Sequence, residues 1–307
     1  MKNLPNSRGA VLISVILLVA LAASIAGFIA SQQSLWVRQV ENLTARAQAG
    51  VLARAGIDLA RDWLHSQKTS IDKASGANWA IKLPPLPVES GYLTGELRDQ
   101  QGRLNLNIIV DGAPRSDYAA LARLFALLAL DPRPLAALRD WLDADEEVTP
   151  NGAESQAYLA RDPAYRSANQ PLTSIESLYR VSGFNDKIID SIRPYVAVLP
   201  AGVKLNLNTA SAEVLAARFG LPLTDAKTLV LSRDQARFTS MEDFIARVPL
   251  VHRDKITEQG TLTMTSEYFL ATARTEIANA NVAYRALLQR REGLYPQVNW
   301  LRLEQAL

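Results

Sequence analysis

The sequence predicts an α+β protein in which a long N-terminal helix packs on an antiparallel sheet. Three observations lead to this prediction. An apolar run opens a helical pattern that extends to His65. Alternating strand patterns lie before Leu104 and after Thr261. The residues between those strands are helical and internally repeated, so we expect a large α-helical domain inserted in the sheet.

The chain begins with a candidate membrane helix. No charged residue occurs from Ala10 to Ala30, and about 20 apolar residues span the roughly 30 Å hydrocarbon core of a bilayer. Lys2 and Arg8 precede this run, and Gly9 lies at the junction. Three interpretations are open: a cleaved secretory signal, an uncleaved anchor with its basic end in the cytoplasm, and a short leader cut after Gly9.

The helical pattern continues past the apolar run, because the residues from Gln32 to His65 include no proline. Apolar residues recur there at spacings of three and four, which predicts one apolar stripe along the helix. We expect this stripe to face the sheet or partner helices. It consists of Trp36, Val40, Leu43, Ala47, Val51, Ala55, Leu59 and Trp63.

Short strands are predicted on both sides of the repeated region. The proline-rich residues 82–87 favour an extended linker. A strand over Gly91–Leu97, a turn at 99–102 and a return strand over Arg103–Ile109 would form a hairpin. Three later strands would complete the sheet: Thr261–Thr275, Asn279–Gln289 and Tyr295–Leu303.

Composition excludes several classes of function. Lysine plus arginine total 33 against 31 acidic residues, so the net charge of +2 gives no argument for nucleic acid or an acidic substrate. The absence of cysteine excludes disulfides, thiolate metal sites and a cysteine nucleophile. Only His65 and His252 are present, so a membrane-anchored hydrolase with a histidine-based site is disfavoured.

The middle of the chain contains an internal repeat. Each unit has an asparagine-containing entry, short helices and a Thr-Ser pair that opens another helix, with Ser174 and Ser240 as the expected N-caps. The matching segments are Leu104–Asn107 with Leu205–Asn208, Arg139–Asp140 with Arg233–Asp234, and Leu172–Glu176 with Phe238–Glu242.

The second unit resembles a helix-hairpin-helix, with helices over Ser211–Phe219 and Thr224–Arg233. DNA-binding versions carry two glycines one residue apart, whose amides contact a phosphate. Here Gly220 is present, but Pro222 occupies the second position and has no amide to donate. We therefore expect the motif without nucleic-acid binding. A membrane-anchored periplasmic DNA-binding protein is the alternative function.

The first unit carries a long acidic insertion, because Arg139 and Thr173 are much further apart than their counterparts Arg233 and Thr239. A loop of that length without apolar periodicity needs something to hold it. Four acids fall at positions 1, 3, 5 and 12 of a calcium-type loop, although Val148 replaces its glycine. A solvated acidic turn is the alternative. The candidate calcium ligands are Asp140, Asp143, Asp145, Glu147, Glu154 and Asn169.

Taken together, these motifs resemble the minor pseudopilin K family of the type II secretion system, general secretion pathway protein K. The resemblance covers essentially the whole chain, and the combination is specific although each piece alone is not. The matching segments are Arg8–Ala10 with the following helix, Asp140–Asp145, Gly152–Glu154, Tyr165–Asn169, Leu205–Ala210 and Ser266–Phe269.

The resemblance implies cleavage after Gly9 and methylation of Ala10 by prepilin peptidase, followed by a pilin-like fold. It also implies calcium in the α-domain, at Asp143, Asp145 and Glu154. Further acids that family members often carry after that glutamate are absent here. The implied domains are a leader (1–9), a transmembrane helix (10–30), the pilin helix and first strands (31–103), the inserted α-helical domain (104–260) and the C-terminal strands (261–307).

The implied function is non-enzymatic. The protein would cross the inner membrane once, with its C-terminal domain in the periplasm, and lie at the tip of the pseudopilus. There it would prime assembly and protein export with minor pseudopilins I and J and the other pseudopilins, and contact secreted substrate or the secretin. Ser14 fits a tip position, because most pilin-like subunits carry at this fifth mature position a glutamate that pairs with a neighbour's ammonium in the bilayer.

Overall fold

The computed structural model describes residues 7–67, 82–88, 91–108, 115–257 and 259–304, and it confirms the predicted α+β class. The α-helices are α1 (Ser7–Ser66), α2 (Arg115–Leu127), α3 (Pro134–Leu142), α4 (Ser155–Leu159), α5 (Asp186–Ile192), α6 (Ala212–Phe219), α7 (Leu223–Gln235) and α8 (Met241–Arg247). The strands are β1 (Leu83–Val88), β2 (Gly91–Asp99), β3 (Leu104–Asn105), β4 (Val196–Ala197), β5 (Leu205–Asn206), β6 (Leu262–Thr263), β7 (Tyr268–Ile277), β8 (Ala280–Gln289) and β9 (Gln297–Glu304).

Helix α1 is one uninterrupted helix whose N-terminal part is long and apolar enough to cross a membrane. Its C-terminal part packs on one face of a five-stranded antiparallel sheet with the order β1-β2-β7-β8-β9. Ile57, Ala60 and Leu64 are buried there with Phe269 and Leu288. The N-terminal part of α1 is therefore exposed in the isolated chain, whereas its C-terminal part belongs to the core formed with the sheet.

Most of the predicted apolar stripe of α1 faces away from the sheet. Trp36 and Val51 are 71% and 70% exposed, whereas Ala49 and Ala53 are fully buried. Small residues line the contact because helix and sheet approach closely: a Cβ at Gly56 would lie 2.8 Å from the Cβ of Ala273. The other exposed members of the stripe are Val40, Leu43, Ala47, Ala55 and Leu59, whereas Trp63 packs against the sheet core.

Two strand predictions are corrected. Residues 83–88 form the edge strand β1 rather than a linker, because prolines are tolerated at a sheet edge where no ladder donor is needed. The predicted return strand Arg103–Ile109 is also corrected over its described residues 103–108, which do not pair with β2. The Asp99 carboxylate accepts the amides of Gln101 and Gly102 at 3.0 and 2.8 Å, which ends β2. The short strand β3 then pairs in parallel with β4 in the helical region.

The helical region lies between β2 and β7 and consists of two similar units. The first runs from β3 to β4 and the second from β5 to β6, and each of these pairs is parallel. Asn107 binds the backbone of Leu172 through both amide atoms, at 2.8 and 3.0 Å. Asn208 binds Phe238 in the same way, at 2.8 and 2.9 Å. The internal repeat seen in the sequence is therefore repeated in the hydrogen bonding.

The predicted helix caps are only half correct. The Ser240 hydroxyl accepts the Asp243 amide at 3.2 Å and caps α8. Ser174 makes no side-chain cap, because the segment after it is a 3₁₀ helix, Ile175–Arg180, with tighter hydrogen bonding than the expected α-helix.

Candidate metal centre

Three buried carboxylates converge in the first helical unit. Asp140 lies in the last turn of α3, Asp143 caps its C-terminus, and Glu154 is the N-cap residue of α4. All three are at most 3% exposed, and one carboxylate oxygen from each lies within 4.8 Å of the others. The ends of two helices therefore bring three negative charges to one buried point.

Asp140 folds the acidic loop back onto α3. Its carboxylate accepts the Thr149 hydroxyl at 2.6 Å and the Thr149 amide at 3.2 Å. Gly152 lies directly against this carboxylate, since a Cβ added there would be 1.9 Å from Asp140 Oδ2. Gly152 therefore leaves room for Asp140 to pack against the segment that leads to Glu154.

The ionised form of Glu154 is disfavoured in this buried cluster. Neither of its carboxylate oxygens has a hydrogen-bond partner among the described residues, and both are buried. Burial, followed by the negative charges of Asp140 and Asp143, raises the pKa of Glu154 to about 7. A buried carboxylate without a partner costs several kcal/mol, roughly, so this group calls for a proton or a cation.

The other predicted ligands are arranged differently. Asn169 donates through Nδ2 to the Asp145 carbonyl at 2.7 Å, and its buried Oδ1 has no partner among the described residues. The Asp145 carboxylate accepts the Glu147 amide at 2.7 Å. The side chains of Asp145 and Glu147 are exposed and lie outside the three-carboxylate group.

Glu146 was missed as a site residue. Its Oε1 accepts the Ser155 hydroxyl at 2.9 Å and lies 3.3 Å from Asn169 Nδ2, and its charge contributes to the raised pKa of Glu154. The 1, 3, 5 and 12 spacing directed attention to alternate residues and passed over Glu146. Ser155, the first residue of α4, gives no pattern that identifies it as a carboxylate partner.

Aromatic side chains close the insertion beneath the carboxylates. Trp141 packs edge-on against Tyr158 with ring centroids 5.1 Å apart, and Tyr165 stacks on Tyr158 at 5.4 Å. The Tyr158 hydroxyl accepts the Ser182 amide at 3.2 Å, and the Tyr165 hydroxyl donates to the Arg180 carbonyl at 2.8 Å. Aromatic packing therefore holds one side of the insertion, whereas the Glu154 carboxylate on the other side has no hydrogen-bond partner among the described residues.

These residues fit a hard divalent cation. Ca²⁺ takes oxygen ligands at about 2.3–2.6 Å, so oxygens that share one ion lie within about 5 Å of one another. The three carboxylates meet that spacing. The orphaned oxygens of Glu154 and the Asn169 Oδ1 are further oxygen donors of the right kind. The chain has no cysteine, so it offers no thiolate ligand for a soft metal.

The predicted cleavage site is in the first turns of α1. Gly9 and Ala10 have helical backbone there, and their side-chain environments lie outside the described part of the chain. Cleavage after Gly9 and methylation of Ala10 stay predictions.

Comparison with known proteins identifies the helical units. Two family models, both described as type II secretion system protein K, match residues 102–201 and 205–263. These boundaries coincide with the two repeated units. The family descriptions therefore apply to the part of the chain that carries the carboxylate cluster and the helix-hairpin-helix.

Relatives that align along most of the chain carry the same description as the two family models. Type II secretion system protein K of Klebsiella pneumoniae is 31% identical over 306 residues, which cover 93% of this chain and 93% of the relative. The protein of the same name from Pectobacterium carotovorum subsp. carotovorum is 29% identical over 324 residues, covering 96% and 99%.

A solved structure shares the fold. It is the crystal structure of the GspK-GspI-GspJ complex from the enterotoxigenic Escherichia coli type 2 secretion system, and one of its chains matches with a TM-score of 0.70. That match has 23% identity and covers 90% of this chain and all of the other. With the sequence relatives and the two matched units, these findings establish that the chain belongs to the type II secretion system protein K family.

Proposed function

We propose that this chain is a minor pseudopilin that forms the tip of a type II secretion pseudopilus and primes its assembly. In this role it is non-enzymatic. It spans the inner membrane once, places its globular part in the periplasm, and is cut by prepilin peptidase after Gly9. It associates with minor pseudopilins I and J and the other pseudopilins, and it contacts secreted substrate or the secretin.

The observation that carries this proposal is the exposed apolar side of α1 beyond the apolar run. Trp36, Val40 and Leu43 lie in the part of α1 that precedes its sheet-packed residues. They are 71%, 49% and 59% exposed. Exposed apolar rows of this kind mark helix–helix contacts with partner subunits. The solved structure with the same fold is a complex named for GspK, GspI and GspJ, which supports I and J as those partners.

The inserted helical region supports a terminal position. It emerges between β2 and β7 and adds two helical units to the sheet. A subunit of this bulk is poorly suited to a packed filament shaft. Ser14 adds to the argument, because a shaft subunit lacking the glutamate expected there leaves a neighbour's ammonium uncompensated in lipid.

The DNA-binding alternative has no support from the hairpin. The amides of Gly220 and Leu221 both donate to the Ala216 carbonyl and so cap α6. Pro222 follows without an amide. The groups that would contact a phosphate are therefore occupied or absent at this hairpin, and we retain the pseudopilin proposal alone.

Two measurements on the full chain test the tip role. Intact mass of membrane-extracted protein should show loss of residues 1–9 and one added methyl group. Co-expression with pseudopilins I and J should yield a complex that survives purification. Substitution of Trp36 and Leu43 by serine should abolish that complex while leaving the melting temperature unchanged. Retention of residues 1–9, or assembly unaffected by the double substitution, would contradict the proposal.

We also infer that the carboxylate cluster binds Ca²⁺, held by Asp140, Asp143 and Glu154 with Asn169 as a further donor. The ion would supply the positive charge that this buried group lacks. It would also tie the end of α3 to the start of α4. The role is structural, because the site joins two helix ends and is buried from solvent.

Chelation of the purified full chain in detergent tests the calcium site. Calcium at 100 times its dissociation constant adds about 2.7 kcal/mol to the free energy of unfolding, so EGTA should lower the melting temperature. Asp143→Asn and Glu154→Gln should abolish the response to calcium. Glu147→Gln is the matched control and should keep it, because that side chain is exposed. A melting temperature that does not change on addition of EGTA would contradict the calcium proposal.

A further inference from the structure

The sheet face opposite α1 is only partly covered by the helical region. Tyr268 and Leu287 on that face are buried against Ala197 and Leu199, which follow the first helical unit. Beside this contact, a cleft of about 390 Å³ opens between β8, β9 and the 3₁₀ helix Ile175–Arg180. We call it the basic cleft. None of its lining residues belongs to the carboxylate cluster.

Arginines dominate the charged lining of the basic cleft. The two carboxylates are each engaged: Glu176 lies 3.1 Å from Arg193, and Glu304 lies 3.8 Å from Arg274. The other three lining arginines have no carboxylate of the described residues within 4.0 Å. The cleft therefore carries three arginines, Arg103, Arg285 and Arg302, that form no ion pair with the described residues.

Two of these arginines face each other across neighbouring strands. Arg285 on β8 is the register partner of Arg302 on β9, so both project on the same face. Side chains directly opposite have Cβ atoms about 4.5–5.5 Å apart, and like charges there are destabilising. Arg302 lies over the Trp300 ring, 5.0 Å from its centroid, and donates to the Thr173 carbonyl at 3.3 Å. The pair therefore places two positive charges side by side on one face of β8 and β9.

Arg103 adds a third positive charge from the helical side. Its guanidinium donates to the Arg193 carbonyl at 3.4 Å. Burial, followed by the positive charge of Arg98, lowers the pKa of Arg103; the negative charge of Asp99 opposes this shift and the charge of Arg285 adds to it. The sheet and the helical region thus present arginines to the same space from two sides.

The edge strand beside the cleft favours a polypeptide over a small anion as the ligand. β9 is at the edge of the sheet, so one row of its backbone donors and acceptors is open to another strand. Trp300 is half-buried in the cleft wall, on the same face of the sheet as its register partner Leu287. An added strand would use the backbone edge and these apolar groups, whereas a small anion would use neither.

We propose that the basic cleft binds an extended acidic segment of a partner polypeptide, paired along β9 with its carboxylates on Arg285, Arg302 and Arg103. Arginine binds carboxylates through two parallel hydrogen bonds, which suits side chains held on a strand. The inference depends on the lining residues alone and does not require that the protein lie at a filament tip.

Fluorescence anisotropy on the full chain in detergent tests this proposal. The probe is a labelled peptide of alternating glutamate and valine, and the matched peptide has glutamine for each glutamate. We expect the acidic peptide alone to bind, with an affinity that falls as salt is raised. The double variant R285Q/R302Q should weaken binding about tenfold or more, since each lost charged hydrogen bond contributes substantially.

The matched control is R133Q/R291Q, which removes the same charge from two exposed arginines outside the cleft and should bind within about twofold of the parent. Equal binding of the glutamine peptide, unchanged affinity of R285Q/R302Q, or an equal loss in the control would overturn the proposal. Binding of inorganic phosphate without binding of the acidic peptide would also overturn it. Matching melting temperatures of the variants exclude misfolding as the cause of a loss.

Discussion

Gly152 illustrates how a single residue shapes the carboxylate cluster. It lies between Thr149 and Asp140, where any Cβ would overlap the aspartate. The Gly-Ala-Glu segment matched a family pattern in the sequence, but the reason for the glycine is visible only when Asp140 is seen folded over it.

We predict that Gly152→Ala destabilises the calcium-free protein by about 1–3 kcal/mol and weakens calcium binding, because Asp140 or the loop must move. Thermal unfolding with and without calcium measures both effects. Gly260→Ala is the control, since no atom lies within 4 Å of a Cβ at that position. Equal stability of the two variants would show that the loop yields without cost.

The raised pKa of Glu154 predicts a pH dependence. Its folded pKa of about 7 is above the unfolded value of 4.5, so the calcium-free protein binds this proton more tightly when folded. The associated stability is present below pH 4.5 and is lost as pH rises through about 7. In EGTA, the free energy of unfolding should therefore be larger at pH 6 than at pH 8.

Urea denaturation in EGTA at the two pH values, compared between the parent and Glu154→Gln, measures this effect. The glutamine variant should lack the Glu154 part of the difference, because it keeps the shape of the side chain but has no proton to lose. The same pH difference in both proteins would assign the titration to another group.

Among the elements, α1 shows most clearly where periodicity succeeds and where it fails. Its length and continuity were predictable from the absence of charge and of proline. The apolar stripe was predicted to face the sheet or partner helices, and it did not identify the face that meets the sheet, because large apolar residues dominate the pattern. The sheet contact instead uses Ala49, Ala53 and Gly56, which permit close approach of the backbones.

We predict opposite effects for two glycines of this helix. Gly56→Ala should destabilise the protein by about 1–3 kcal/mol, because its Cβ would meet Ala273 at 2.8 Å and Leu93 at 3.0 Å. Gly50→Ala should stabilise it by about 0.5–1 kcal/mol, because nothing lies within 4 Å and alanine favours the helix. Chemical denaturation of both variants distinguishes the contact from the helix propensity. A stabilising Gly56→Ala would mean that the helix stands further from the sheet.

The whole molecule depends on a polar joint between the sheet and the helical units. Gln101, which is 4% exposed, donates to the Lys204 carbonyl at 2.8 Å and accepts the amides of Glu267 and Tyr268 at 2.5 and 3.0 Å. Its own carbonyl accepts the Asn206 amide at 2.8 Å. One side chain thus joins the end of β2, the start of the second unit and the start of β7.

We predict that Gln101→Ala lowers the free energy of unfolding by about 2–4 kcal/mol, because it leaves buried backbone groups without partners. Limited proteolysis should then cut between the sheet and the helical region faster than in the parent. Gln235→Ala, at an exposed position, is the control. Unchanged stability and proteolysis in Gln101→Ala would show that apolar packing alone fixes the two parts together.

The sequence by itself determined the α+β class, the single long helix, the repeat and the acidic insertion, because each depends on local period or on similarity along the chain. The tertiary structure decided which face of α1 is buried, that residues 83–88 form an edge strand, and that β3 pairs with β4. It also decided that Asp140, Asp143 and Glu154 form the buried group while Asp145 and Glu147 remain outside it. These outcomes depend on contacts between residues far apart in the chain, whose distances no local pattern contains.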